Sequence, residues 1–374
     1  MSEALGRGVL PFLTGLVLAL AYIPNVPAAA ISARWWTLAI AAAVMLFSAK
    51  PGWPAVIFLG FVGYVGASLA WTPNPAEGLG YVAQWAILWM CFASAPDPRA
   101  LLRGAALGLV ASAIVAAGQA FDLINIGGFG NSGLFVNHNT LSEAAVVVLV
   151  GTFVYGDWLF AIPPAVALGF SFSRGSLVAL GICLSFQLDR KVGFALIAAI
   201  AIGLGIFFFH PIPSVAERFT FWNDAWTGLS WLGQGVGSFS FNFPYARQVH
   251  NDYLQMAYEF GVGGAGLAAA LALALSRYRH DPGAASALLA VCVLAMFAFP
   301  FQMSFTGGLA AFMAGRLCSL RQPVHLDWRK WRGLVPGLGA RSNRSKYASV
   351  SVRSDSQNHP VRSRDAAVAA AGEG

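Results

Sequence analysis

About twelve apolar stretches, most of them about 15 to 22 residues long, follow one another through the first 320 residues, each marked off by charges, proline or glycine. They lie near 8–27, 35–49, 52–71, 78–95, 100–121, 139–155, 158–172, 175–188, 192–209, 251–276, 283–299 and 303–318. A helix of about 20 apolar residues spans a hydrocarbon core of roughly 30 Å, and it satisfies its own backbone there, where no water is present to do so. Only 10% of the 374 residues are charged and 57% are hydrophobic, against roughly 25% charged in soluble domains. Too little of the chain is polar to cover a dissolved globule. The expected fold is therefore all-α: a polytopic transmembrane bundle of about 12 helices with one external loop, near 210–249. The second, seventh and eighth stretches are short for a span, and any one of them fits an interfacial or broken segment equally well.

Basic residues give the orientation. With the N-terminus in the cytoplasm, the inner turns carry Lys50, Arg99 and Arg103, Arg190 and Lys191, then Arg277 and Arg279. The C-terminal side adds Arg316, Arg321, Arg329, Lys330 and Arg332. Both ends are expected to be cytoplasmic. A cleaved leader ending near Ala28-Ala29-Ala30 is the alternative at the N-terminus, and it leaves the remaining topology unchanged. The net charge of +7 sits mostly in these turns and in the tail, which argues against nucleic acid as a partner. Residues 1–320 form the expected membrane domain. Residues 321–374 form a basic cytoplasmic tail, with tryptophans that suit an anionic leaflet and a remainder too polar to fold alone. Cys91, Cys183, Cys292 and Cys318 fall in or beside apolar segments without metal or disulfide spacing, as small buried hydrophobes would.

The densest chemistry lies in YARQVHNDYLQMAYEFGVGG, Tyr245 to Gly264, which places Arg247, His250, Asn251 and Asp252 within six residues at the start of an apolar helix. Polar groups are costly in hydrocarbon and usually face a cavity, a partner or a substrate. Four arginines fall on the outer face against the general trend: Arg34, Arg174, Arg218 and Arg247. Arg34 stands beside Trp35 and Trp36, as an interfacial anchor does. The other three can reach one aqueous face, and arginine binds phosphate oxygens bidentately.

Three separated segments resemble the O-antigen ligase and O-antigen polymerase family, bacterial membrane glycosyltransferases with a GT-C-like all-helical fold. GLFVNHNTLSEAA (Gly133 to Ala145) is similar to the family's G-x-F-x-N-x-N stretch. SFSRGSLVAL (Ser171 to Leu180) is similar to its Ser-Arg-Gly signature. RFTFWNDAW, LGQGVGSFSF and VHNDYLQMAYEFGVGG follow its Arg-x3-Trp, Gly-x-Gly-x-Gly-x-Phe and His-Asn-x8-Gly-x-x-Gly elements in order. The likeness covers roughly 133–266. The external loop is short for the family, which leaves less surface for an elaborate acceptor.

The resemblance implies transfer of a glycan from an undecaprenyl-diphosphate carrier to an acceptor hydroxyl, on the periplasmic face of the bacterial inner membrane. Lipid A-core, a growing glycan or another hydroxyl compound would be the acceptor. It implies His250 as general base, since an imidazole titrates near working pH, and Arg174 and Arg218 as fixed positive charge on the leaving diphosphate. Arg247, Asn251, Asn139 and His138 would be substrate contacts. No DxD or acidic cluster suited to Mg²⁺ stands on the outer face, so a metal-independent, inverting transfer with no other cofactor is expected. Ligase and polymerase are not separated by these motifs.

Each residue also has a plainer reading. His250 fits a helix-start cap, with Asn251 or Asp252 satisfying the first amides. Arg174 fits a headgroup anchor, Arg218 a loop ion pair with Glu217 or Asp224, and Arg247 a phospholipid contact. His138 fits an interfacial loop. Glu143 reads as a capping or dipole-favoured acid, and Glu259, about 13 Å beyond His250 along a helix, as a structural partner of a neighbouring helix. Gly233, Gly235 and Gly237 lack the strand and the lysine of a phosphate loop and read as a tight turn. Trp222, Trp226 and Trp231 suit sugar stacking or an interfacial belt equally. Two rivals from other classes are a glycolipid transporter and an intramembrane serine protease pairing Ser238 or Ser173 with His250. No internal repeat supports the first, and no nucleophile-elbow context supports the second.

Overall fold

The computed structural model describes residues 8–20, 29–47, 49, 51–125, 130–135, 137–171, 173–188, 192–193, 195–198, 200, 213–245, 248–277 and 279–319. Among these residues the chain is all-helical, without strands. The α-helices are α1 (Leu10–Leu20), α2 (Ala29–Leu46), α3 (Trp53–Ala67), α4 (Pro75–Ser94), α5 (Pro98–Ala120), α6 (His138–Val154), α7 (Trp158–Ser171), α8 (Arg174–Ser185), α9 (Pro213–Thr227), α10 (Ser238–Asn242), α11 (Asp252–Phe260), α12 (Val262–Leu275), α13 (Pro282–Leu294) and α14 (Ser304–Ser319).

Local chemistry sets many of the starts. The side chains of Asn74, Asp97, Asn137, Asn251 and Asp281 accept from free amides in the first turns of α4, α5, α6, α11 and α13, and proline opens α4, α5 and α13. Proline lacks the N–H that a first-turn residue cannot pair, and a short polar side chain satisfies one of the remaining orphans.

The core is centred on α6, α13 and α14, which are buried along nearly their whole length, with α5 beside them. α1 packs on α5 backbone to backbone. A Cβ at Gly104 would lie 1.8 Å from the Phe12 carbonyl oxygen, and one at Gly15 would lie 2.0 Å from that of Leu101. No larger residue fits that seam.

Two helical segments are long and apolar enough to cross a membrane, Trp53–Ala70 and Pro98–Ala120; other apolar helices, such as Leu10–Leu20, His138–Val154 and Pro282–Leu294, are shorter. The helices fall within or close to the apolar stretches expected from sequence, with two differences. The stretch 251–276 is not one helix: it breaks at Gly261 (φ +51°), where any Cβ would sit 2.1 Å from the Trp231 carbonyl oxygen. The backbone of 230–233 presses against this point, and only glycine takes that conformation without strain. The expected external loop, 210–249, also contains two helices, α9 and α10. Arg34, expected as an interfacial anchor, is only 7% exposed, whereas Trp36 is open. Most of the ninth stretch and the whole basic tail lie outside the described residues.

Candidate active site

The site begins where the chain enters α6. Gly133 (φ +58°) brings the backbone against α5, where its N–H donates to Gln119 Oε1 at 2.8 Å. Asn137 then caps α6 through Thr140 N at 2.9 Å. His138 and Asn139 are thereby placed in the first turn of α6, both half-buried. His138 lies against Gly130, where a Cβ would come within 3.1 Å of its Nδ1. One turn on, Ser142 Oγ shares a hydrogen bond with Ser171 Oγ and accepts from Ser173 N–H at 3.3 Å. The start of α6 is thus fastened to the junction from which Arg174 opens α8. Arg174 itself is exposed.

α9 supplies the second wall. Arg218, Phe221, Trp222 and Ala225 recur at the spacing of one helix face. Arg218 Nη1 donates to the Phe297 carbonyl oxygen at 3.0 Å. It does not take up the ion pairs with Glu217 or Asp224 that a solvated loop arginine would form; Asp224 Oδ2 instead accepts from Tyr245 Oη. Trp222 Nε1 donates to the Val249 carbonyl oxygen at 3.0 Å, which pins the segment leading into His250 onto α9. The His250 ring stacks on Phe221 (centroids 6.4 Å apart, 21° between planes) and meets Phe299 edge-on at 5.2 Å.

His250 has φ +56°, rare for a residue with a Cβ. Its neighbours enforce it: Val249 is tied by Trp222, and Asn251 caps α11 through Leu254 N at 3.0 Å. The side-chain oxygen of Asn251 is therefore committed to the cap, which does not use its amide nitrogen.

The turn between α13 and α14 gathers these elements. Phe297 holds Arg218, Phe299 touches His250, and a Cβ on Gly175 would meet Phe297 Cβ at 3.9 Å. The turn is clamped by Asp252, which accepts from Phe301 N–H at 2.8 Å and Gln302 Nε2 at 3.0 Å. Gln302 Oε1 in turn accepts from Gln248 Nε2 at 3.2 Å.

Electrostatics follow from this packing. Burial, and then the positive charge of Arg218, pull the His250 imidazole down to about 4. Burial likewise lowers Arg218, and the Glu143 carboxylate acts in the opposite direction. At neutral pH the imidazole is uncharged and able to accept a proton, beside a guanidinium that keeps its charge. No protein-family model and no curated protein matches this chain.

Of the residues expected to form the site, His250 and Arg218 are brought together. Gly175, next to Arg174, reaches the same turn, and His138 and Asn139 stand on the helix fastened to that junction. Arg247 lies outside the described residues. Glu259 plays the structural part expected of it, accepting from Gly237 N–H at 3.2 Å and Gln255 Nε2 at 3.0 Å. Gly233, Gly235 and Gly237 (φ +71°, +93° and +70°) form the expected tight turn. Ser238 Oγ is buried without a hydrogen-bond partner, so it makes no dyad with His250. Trp222 is spent on a structural bond, while Trp226 and Trp231 are exposed.

Two participants escaped the sequence. The Phe297–Gln302 turn acts through a carbonyl, a ring and an amide, none of which has a motif. Glu143, expected as a capping or dipole-favoured acid, is 4% exposed and lies beyond the first turn that Asn137 caps.

Proposed function

We propose that this chain is a polytopic membrane glycosyltransferase of the O-antigen ligase type. It would move a glycan from an undecaprenyl-diphosphate carrier to an acceptor hydroxyl on the periplasmic face of the inner membrane. The observation that carries the proposal is the juxtaposition of a neutral His250 and a charged Arg218 on one turn, 297–299. In this scheme the acceptor hydroxyl gives its proton to His250 as its oxygen bonds to the anomeric carbon. The bond from that carbon to the diphosphate breaks, and the electron pair leaves with the phosphate oxygen. Arg218 and Arg174 offset the charge that develops there, as preorganised cations do without solvent rearrangement. Displacement from the opposite face inverts the anomeric centre.

A GT-C-like bundle of about twelve spans with both ends cytoplasmic belongs to the same proposal. It is supported by the large apolar side chains left on the outside, including Phe47, Trp53, Ile57, Ile114, Leu159 and Ile162. Exposed apolar surface on that scale marks a contact with lipid or protein.

The test is transfer by the purified protein in lipid, with the glycolipid profile of a deletion strain beside it. His250→Ala is expected to abolish transfer, and near wild-type turnover would remove the assigned base. A strain that keeps long polymer off a capped core indicates a ligase. One that accumulates single repeat units indicates the polymerase of the same family. Movement of labelled glycolipid across proteoliposomes without a new glycosidic bond would favour a transporter.

A further inference from the structure

One guanidinium satisfies a carboxylate, and the buried Asp157 has two. Arg99 donates to it through Nε at 3.0 Å and Nη2 at 2.6 Å, a complete fork. Arg103, one turn further along α5, makes a second complete fork at 2.9 Å and 2.6 Å. Either fork alone engages both carboxylate oxygens, so the second arginine exceeds the structural need.

Neither guanidinium is used up. Arginine carries five N–H donors, and among the described residues Nη1 of Arg99 and Nη1 of Arg103 make no hydrogen bond. The two side chains are 46% and 36% exposed. Each is held against a ring, Arg99 over Tyr155 at 6.0 Å and Arg103 over Phe160 at 5.5 Å. Two donor edges fixed in this way suit the oxygens of a phosphate, because little side-chain freedom is left to lose on binding. Charge alone does not mark the place. Asp97, exposed, caps the Arg99 amide at 3.0 Å, and Tyr155 Oη donates to Asp281, whose other partner is Arg316 at 3.5 Å. What sets Arg99 and Arg103 apart is unused donors beside an apolar surface.

That surface begins at the same point. α5 and α7 run side by side in one direction: Arg103 meets Phe160 near their starts, and the rings of Phe121 and Phe170 meet at 5.9 Å near their ends. Leu107 and Ile114 continue the face of α5 that carries Arg99 and Arg103, and Leu159, Ile162 and Val166 share a face of α7. All five are exposed. A phosphate-binding pair at the head of two apolar helix faces is the complement of a phospholipid.

We propose that Arg99 and Arg103 bind the phosphate of an anionic phospholipid whose acyl chains lie along the exposed faces of α5 and α7. Both arginines stand in a turn expected to be cytoplasmic, the side on which anionic lipids give the leaflet its negative potential. The inference rests on the membrane placement proposed above and is independent of the transfer chemistry.

The test uses full-length protein in nanodiscs of phosphatidylcholine, with and without added phosphatidylglycerol. Arg99→Gln and Arg103→Gln each leave one complete fork on Asp157, so both variants are expected to fold. Arg279→Gln removes the same charge from an exposed turn and serves as the control. Phosphatidylglycerol should raise the melting temperature of the wild type and, equally, of Arg279→Gln. In either fork variant the rise should shrink to about half or less. An undiminished rise in both fork variants overturns the proposal, as does an equal loss in all three variants, which would mean diffuse attraction to the surface. Inorganic phosphate added to phosphatidylcholine discs should give no rise, and a rise as large as that of the lipid would overturn the lipid assignment. Protein that does not enter discs fails the membrane placement, whereas protein in discs that ignores phosphatidylglycerol fails this inference alone.

Discussion

Arg218 and His250 share one turn of backbone: the guanidinium donates to the Phe297 carbonyl oxygen at 3.0 Å, and the imidazole packs edge-on against Phe299 at 5.2 Å. Burial and the neighbouring positive charge hold the imidazole at about 4. A base of that strength is always free at neutral pH but accepts a proton reluctantly. An anionic donor seated on Arg218 would cancel part of the field and raise the basicity of His250 at the moment it is needed.

The pH profile follows with a definite sign. As the proposed base, His250 would act when deprotonated, so activity should persist above its titration point and be lost as pH falls through it. For the free enzyme the acid limb of kcat/KM is expected near 4. In the donor complex the field is weaker, so the acid limb of kcat should lie at higher pH. Coincident limbs, measured in lipid with the native donor, would show that the donor's charge never reaches the imidazole.

Replacing Arg218 by glutamine separates its two effects. His250 loses a nearby cation and should titrate closer to the ordinary histidine range, readable by NMR of isotopically labelled histidine with His250→Ala as the assignment control. Transfer should nevertheless fall by on the order of 100-fold, because the leaving diphosphate loses a fixed positive charge. A stronger base with a much slower reaction is the combination to look for. A rate that rises with basicity would mean that Arg218 merely suppresses the histidine.

Asp252 holds the turn on which both residues depend. It is 1% exposed and accepts from Phe301 N–H and Gln302 Nε2. Asp252→Ala leaves the buried Phe301 amide unsatisfied, at a cost of roughly 1–3 kcal/mol, and takes one partner from the half-buried Gln302 amide nitrogen. The melting temperature should fall clearly. In protein that still folds, kcat should drop more than donor KM, since Phe299 shifts under His250. Unchanged melting would mean that water reaches the two donors.

Much of this architecture was legible in the residues. Asn74, Asp97 and Asp281 each stand directly before the proline that opens α4, α5 and α13, a helix-start pattern readable in the residues, and Asn251 does cap a helix start, as one of the readings of that segment expected. The nearness of Arg218 and His250 was an expectation of the family likeness, and the described contacts bring the two together. What stayed hidden acts through the backbone. Gly261 breaks an apolar run whose composition alone reads as continuous, and the reason is the carbonyl of Trp231, which is remote in sequence until the chain folds. Phe297 contributes a carbonyl that any residue would supply. The full set of spans was less legible than the helices themselves, since several helices are shorter than a bilayer requires.

A separate cluster gives a test independent of catalysis. Arg99 donates to Asp157 through Nε at 3.0 Å and Nη2 at 2.6 Å, and Arg103 does so at 2.9 Å and 2.6 Å. The carboxylate side chain is 4% exposed, while the two arginines keep 46% and 36% of theirs in contact with solvent. Burial alone would raise the Asp157 carboxyl, but the two guanidiniums outweigh it and hold it at about 2, below its usual 3.8. The folded state therefore binds this proton less readily than the unfolded chain, and the stabilisation is complete above about 3.8 and is lost as pH falls through about 2. Asp157→Asn keeps the shape and removes the charge. With the arginines half in water, the loss at pH 7 should be roughly 1–3 kcal/mol, read by denaturant or thermal unfolding in lipid. The gap between wild type and variant should close as the pH approaches 2. A gap that stays constant over that range would mean that Asp157 acts by shape and not by charge.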